Sequence, residues 1–162
     1  MASTVLIAPD GRYAPNPSYW LAALWRQMIA PTVLEIAPGS LPPAPSALQV
    51  TLHCSAQRPG TPIALALNLA TERTFVLDLA AALGRPTASE DDEDEDGYLV
   101  HLLTSESLSS KVVRLNGLAL VPAPDGSPPP FEALWVKGPV TLPPVSVAFV
   151  QPASAGGEEA CA

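Results

Sequence analysis

A chain of 162 residues, 48% hydrophobic and carrying 20 prolines, has apolar mass for one packed domain, and the prolines exclude a mainly helical build. The formal charge of −8 is concentrated in one acidic run, and the lack of a basic patch interleaved with aromatics disfavours direct nucleic-acid binding. No apolar run approaches the roughly 20 residues of a membrane span, and the short run at 5–8 has too few basic residues ahead of it for a signal peptide.

In chain order, Val5, Leu6 and Ile7 lead into the turn Pro9, Asp10, Gly11, the pattern of a strand leaving a sheet. Asn16 suits a helix N-cap and Pro17 the first helical position. Trp20, Leu21, Leu24, Trp25 and Met28 then recur at helical spacing until Pro31, which predicts an amphipathic helix over residues 17–29. An aromatic stripe at this spacing is read as a packing surface, not a binding site. Val33, Leu34 and Ile36 read as a strand, followed by the proline-rich loop 38–45. Leu48, Val50, Leu52 and Cys54 fall at alternate positions with Gln49, Thr51 and His53 between them, so this strand should bury one face and wet the other. After a turn through Pro59 and Gly60, residues 63–69 and 74–79 read as strands, and helical character at 80–83 is ended by Gly84 and Pro86.

Seven of the sixteen acids lie in the single run Glu90 to Asp96, leaving nine acids against eight bases elsewhere. Contiguous like charges repel and resist burial, so residues 86–97 read as a disordered, solvated acidic loop. A calcium loop spaces its ligands around an internal glycine, and Gly97 lies outside the run. Beyond it, residues 98–104, 112–115, 118–121, 133–136 and 145–150 read as strands, 127–130 as a loop, and Asn116-Gly117 as a hairpin turn. About eight short strands between Pro and Gly turns predict an all-β, antiparallel β-sandwich preceded by one helix.

No catalytic, cofactor or metal site emerges from the residues. His53 and His101 lack partners at metal-ligand spacing, two cysteines make no zinc site, and neither a G-x-S-x-G turn nor a phosphate-binding glycine loop occurs. Glu35, Glu72, Asp78, Glu106 and Glu132 are scattered, with nothing to pair any two for acid–base work on a glycoside. Cys54 and Cys161 read either as a staple from a core strand to the chain end or as two free thiols. Spacing does not separate these readings. A staple would close a loop of roughly 100 residues, worth about 4–5 kcal/mol in the chain-entropy model.

The segments Asn16-Pro17-Ser18-Tyr19-Trp20-Leu21, Val33-Leu34, Leu52-His53-Cys54, Leu67-Asn68-Leu69, Tyr98-Leu99-Val100, Val113-Arg114-Leu115-Asn116-Gly117-Leu118 and Ala160-Cys161-Ala162 together resemble the C-terminal part of heparanase-like glycoside hydrolases of family 79, in order and spacing from about residue 14 to the end. The resemblance implies a (β/α)8 barrel with an appended β-sandwich, and retaining endo-β-glucuronidase activity on polysaccharides containing glucuronic acid. It would make residues 1–31 the end of the barrel, with its last helix at 17–29, and 32–162 the sandwich. Cys54 and Cys161 would be the family's disulfide pair.

The resemblance also has gaps. Both catalytic glutamates of the family lie on barrel strands upstream of the last helix, so no position here matches either. The family's substrate-contacting Gly and Tyr, expected near residues 3–7, are missing, and the acidic run is an insertion. A sandwich of this family is normally completed by chain from the N-terminal end, which predicts an open sheet edge, a pairing hazard. The expected function is therefore a non-catalytic accessory sandwich, inactive alone, whose partner is a missing barrel docked through the Trp20, Leu24, Trp25 helix face. Polysaccharide would be bound only in the full enzyme. The alternative is a free-standing secreted module that uses its sheet or its acidic loop to bind a basic protein partner. A disulfide points to an extracellular, lysosomal or vacuolar location for the full-length protein.

Overall fold

The computed structural model describes residues 5–7, 13–36, 41, 45–80, 82–83, 97–154 and 161. The turn at 9–11, the acidic run and most of the loops at 38–45 and 86–97 lie outside them.

A short antiparallel pair, β1 (Val5–Ile7) and β2 (Tyr13–Pro15), precedes the helix α1 (Pro17–Met28). Asn16 takes the extended N-cap conformation and its carbonyl accepts the Tyr19 N–H at 2.9 Å, with Pro17 directly after it. The helix ends at Met28, three residues before Pro31. Ile29 is already extended, and β3 (Ile29–Leu34) runs on without a loop, carrying Pro31 in an edge strand, where a missing N–H is tolerated.

The main sheet adds β4 (Leu48–Ser55), β5 (Pro62–Asn68), β7 (Gly97–Thr104), β8 (Arg114–Leu115), β9 (Leu118–Ala119), β10 (Leu134–Lys137) and β12 (Ser146–Pro152) to β3. Its order is β3-β4-β5-β12-β7-β8-β9, and β10 pairs with β7 beyond the end of β8; every pairing is antiparallel. Asn116 and Gly117, at φ 49° and 86°, form the two-residue turn between β8 and β9 that the Asn-Gly pair predicts. At the start of β7, Gly97 is bare because the Trp135 indole of β10 lies where a Cβ would stand.

Each face of this sheet has its own cover. On one, the two-stranded sheet β6 (Phe75–Leu77) and β11 (Val140–Leu142) sets Phe75, Leu77, Val140 and Leu142 against Leu48, Leu52, Ala64, Ala66, Val100, Ala148 and Val150. On the other, α1 sets Trp20, Leu24 and Met28 against Ile63, Leu65, Leu103, Leu115, Phe131 and Phe149. The predicted antiparallel all-β sandwich with one helix ahead of it is the architecture observed.

Four details differ from the sequence reading. His53 is 7% exposed rather than wet, because α1 covers that side of β4, so the second half of the strand is buried on both faces. Trp20 and Leu24, at 2% and 0% exposure, are consumed by the sheet and cannot form the expected face for a missing barrel; Trp25, at 40%, stays open. β2 and β11 were not expected; each spans only three residues, too short for alternation to show. Ala80, Ala82 and Leu83 form a turn closed by Leu83 N–H to the Leu79 carbonyl at 2.9 Å, not a helix.

Candidate functional site

The polar side chains with the most structural leverage lie where strands end. Cys54 and Cys161 are bonded, with Cα atoms 5.6 Å apart, within the span a disulfide tolerates. Beside Cys54, buried Ser55 donates to Gln151 Oε1 at 3.1 Å and accepts the Arg58 N–H at 3.1 Å. The Arg58 guanidinium donates to the carbonyls of Pro152 and, at 2.9 Å, Ala153. These contacts tie the end of β4 to the end of β12 and to the chain's last residues.

At the other end of the sheet, fully buried Asn68 spreads its amide over the carbonyls of Arg73, Leu142 and Pro143 at 2.8, 3.1 and 2.8 Å, and its Oδ1 accepts the Ala70 N–H at 2.9 Å. Asn116 does similar work in the hairpin turn. Its Oδ1 accepts the Leu102 N–H at 2.9 Å, and its Nδ2 donates to the carbonyls of Val100 and Glu132 at 3.2 and 2.9 Å. Both asparagines sit in segments that carried the sequence resemblance, yet nothing in their local pattern shows these partners. Arg58 and Gln151 left no sequence signal at all.

The histidines are core residues. His53 Nε2 lies 3.1 Å from Thr51 Oγ1, its ring meets Trp25 edge-on at 5.3 Å, and burial holds its pKa below the ordinary value. Burial also lowers the pKa of His101, partly opposed by its bond to the Phe131 carbonyl. Among the described residues, no three His, Cys, Asp or Glu side chains group as metal ligands.

Glu35, Glu72, Asp78, Glu106 and Glu132 are all exposed and stand on separate turns and strand ends. Glu106 is taken by Arg114, Nη2 to Oε1 at 3.1 Å. Among the cavities on the described surface, two bear on a glycosidase reading. One, of about 210 Å³ beside the start of α1, is lined by Leu21, Leu69, Leu103, Val113 and Val147 and holds no carboxylate; the other, of about 410 Å³ between Leu118, Pro130 and Leu134, holds only Glu132. Neither brings together the pair of carboxyls that a retaining glycosidase sets about 5–5.5 Å apart.

No family model matches the chain. It is 31% identical over 163 residues to heparanase-like protein 2 of Arabidopsis thaliana, covering 85% of this chain and 29% of that protein. The chain is heparanase-like. It is also 27% identical over 151 residues to inactive heparanase-2 of Homo sapiens, covering 86% of this chain and 25% of the relative. Heparanase of Rattus norvegicus is 31% identical over 116 residues, covering 68% of this chain and 20% of that protein. The heparanase-like segment thus spans less than a third of each of these relatives, in agreement with the resemblance read from its motifs. No helix among its described residues is long and apolar enough to cross a membrane.

Proposed function

We propose that this chain is the non-catalytic C-terminal sandwich of a heparanase-like glycoside hydrolase. Residues 1–31 would be the end of a (β/α)8 barrel and 32–162 the accessory domain. The observation that carries the reading is the shared segment itself: one stretch matches proteins named heparanase and inactive heparanase-2 alike, each over a quarter or less of its length. Whatever distinguishes an active from an inactive relative then lies outside what this segment shares. The scattered, exposed carboxylates support the same reading. Hydrolysis of a glucuronic-acid polysaccharide would be performed by two carboxyls on the barrel; the sandwich would hold α1 through Trp20, Leu24 and Met28, and the exposed side of the helix, with Ala22, Trp25 and Arg26, would face the rest of the barrel. The Cys54–Cys161 bond supports an extracellular, lysosomal or vacuolar setting.

The test is activity of the purified chain on heparan-type and simple glucuronide substrates. No turnover is expected. Turnover that disappears when Glu35, Glu72, Glu106 or Glu132 is changed to Gln would overturn the proposal.

A further inference from the structure

His101 lies mid-strand in β7, opposite Phe149 of β12 in the antiparallel register, on the face that α1 covers. It is 3% exposed. Its Nε2 stands 3.2 Å from the Phe131 carbonyl, which can only accept, so Nε2 carries the proton and Nδ1 the lone pair. Nδ1 is shut off from solvent and has no partner among the described residues. Any second proton would therefore go onto an atom that is sealed from solvent and faces no acceptor among the described residues.

The charged groups on the surrounding elements do not compensate. Strands β7 and β12 contain none. Arg26 on α1, Glu132, and Lys137 on β10 are exposed, and Arg114 on β8 is turned to Glu106. Phe149 and Leu103 flank the position on its own face. An imidazolium held there would be an uncompensated charge in an apolar layer, which costs several kcal/mol in general terms. To gain its proton the ring must turn toward water, and turning breaks the bond to Phe131.

That bond holds a stretch with few other ties. Phe131 is buried in the core under α1, but residues 121–133 form no strand and reach the sheet through His101, the Asn116 bond to the Glu132 carbonyl and the start of β10. We propose that His101 is an acid-released latch, holding the Phe131 stretch on the sheet while neutral and letting it lift when protonated. Lifting would uncover the apolar floor beneath Phe131 and loosen β10, which already exposes Leu134 and Trp135.

Hydrogen exchange of the native chain at a series of pH values, corrected for intrinsic rates, tests this. The opening constant of the amides at 131–134 should rise by up to about tenfold per pH unit below the ordinary histidine value near 6.5, while β4 and β5 keep their protection. In His101→Gln, whose amide can still donate to Phe131 but cannot charge, the pH dependence should vanish; in His53→Gln it should remain. Should the Gln variant not fold, imidazole NMR of the native chain decides, with Nε2–H as the neutral tautomer and a midpoint below the ordinary value expected. A midpoint at or above that value, pH dependence that survives in folded His101→Gln, or protection lost uniformly across the sheet would overturn the latch.

Discussion

The two faces of the main sheet are built on different principles. Under β6 and β11 the layer is mainly aliphatic, with Ala64, Ala66, Ala148 and Val150 on the floor and Leu77, Val140 and Leu142 above; Phe75 and Tyr98 are its aromatic members, and Asn68 closes it at the end of β5. Under α1 it is bulky and mixed: Trp20, Met28, Phe131 and Phe149 share the space with both of the chain's histidines, and with Ser55 and Gln151 at its edge. The facing sheets interdigitate over a floor of small residues, whereas the helix meets the sheet through large side chains. Both histidines stand on the helix face, so the acid response proposed for His101 belongs to that layer.

The largest effect that probes this contrast comes from emptying each layer in turn. Phe149→Ala should cost about 3–5 kcal/mol and Leu142→Ala about 2–5 kcal/mol, since both side chains are fully buried. Their signatures should differ. Loss of Phe149 removes the floor under α1, so in a Trp25→Phe, Trp135→Phe background, where Trp20 emits alone, a red shift should accompany the drop in the denaturation midpoint; loss of Leu142 should lower the midpoint and leave native Trp20 emission unchanged. Equal spectral change in both variants would mean the two layers are one cooperative core.

The next effect falls on the aliphatic side. Strand alternation places Cys54 with Leu48 and Leu52, so the disulfide ties the chain end to that face. Cys161→Ser should destabilise the chain by about 2–5 kcal/mol, the usual range for a native bridge in a small domain. Denaturant midpoints of the oxidised wild type and the variant measure it, and a wild type indifferent to reductant would show that the staple carries no stability.

How the two faces read in the sequence follows from how they are covered. The alternating apolar positions of β4, β5 and β12 announced a sheet, and the Asn-Gly pair announced its hairpin. The helix was legible in Pro17, Trp20, Leu24 and Met28, but its target was not, because a stripe of large side chains has the same pattern whether it meets a barrel or its own sheet. His53 shows why. Alternation predicts a wet side only when nothing covers it, and the cover comes from a helix more than 20 residues upstream. Cysteine spacing left two states open; the Cα separation of 5.6 Å is long-range geometry that spacing does not carry. Asn68 is the hardest case. Its partners at Leu142 and Pro143 lie more than 70 residues away, and an asparagine at a strand end looks like any turn residue.

The smallest effect separates the chain by itself from the chain as part of something larger. Trp25 lies on the open side of α1, 40% exposed, and its ring meets His53 edge-on. Such a contact contributes about 0.5–1.5 kcal/mol beyond area burial, and much of the indole is already in water. Trp25→Ala should therefore cost the isolated chain only about 1 kcal/mol, far less than Phe149→Ala. If α1 packs on a barrel through this side, the same substitution in a longer chain that includes the barrel should cost about 3–5 kcal/mol, the value for a buried aromatic. Thermal or denaturant melts of both forms give the two numbers. An equal, small cost in each would place the barrel contact away from Trp25, leaving the open side of the helix as solvent-facing surface.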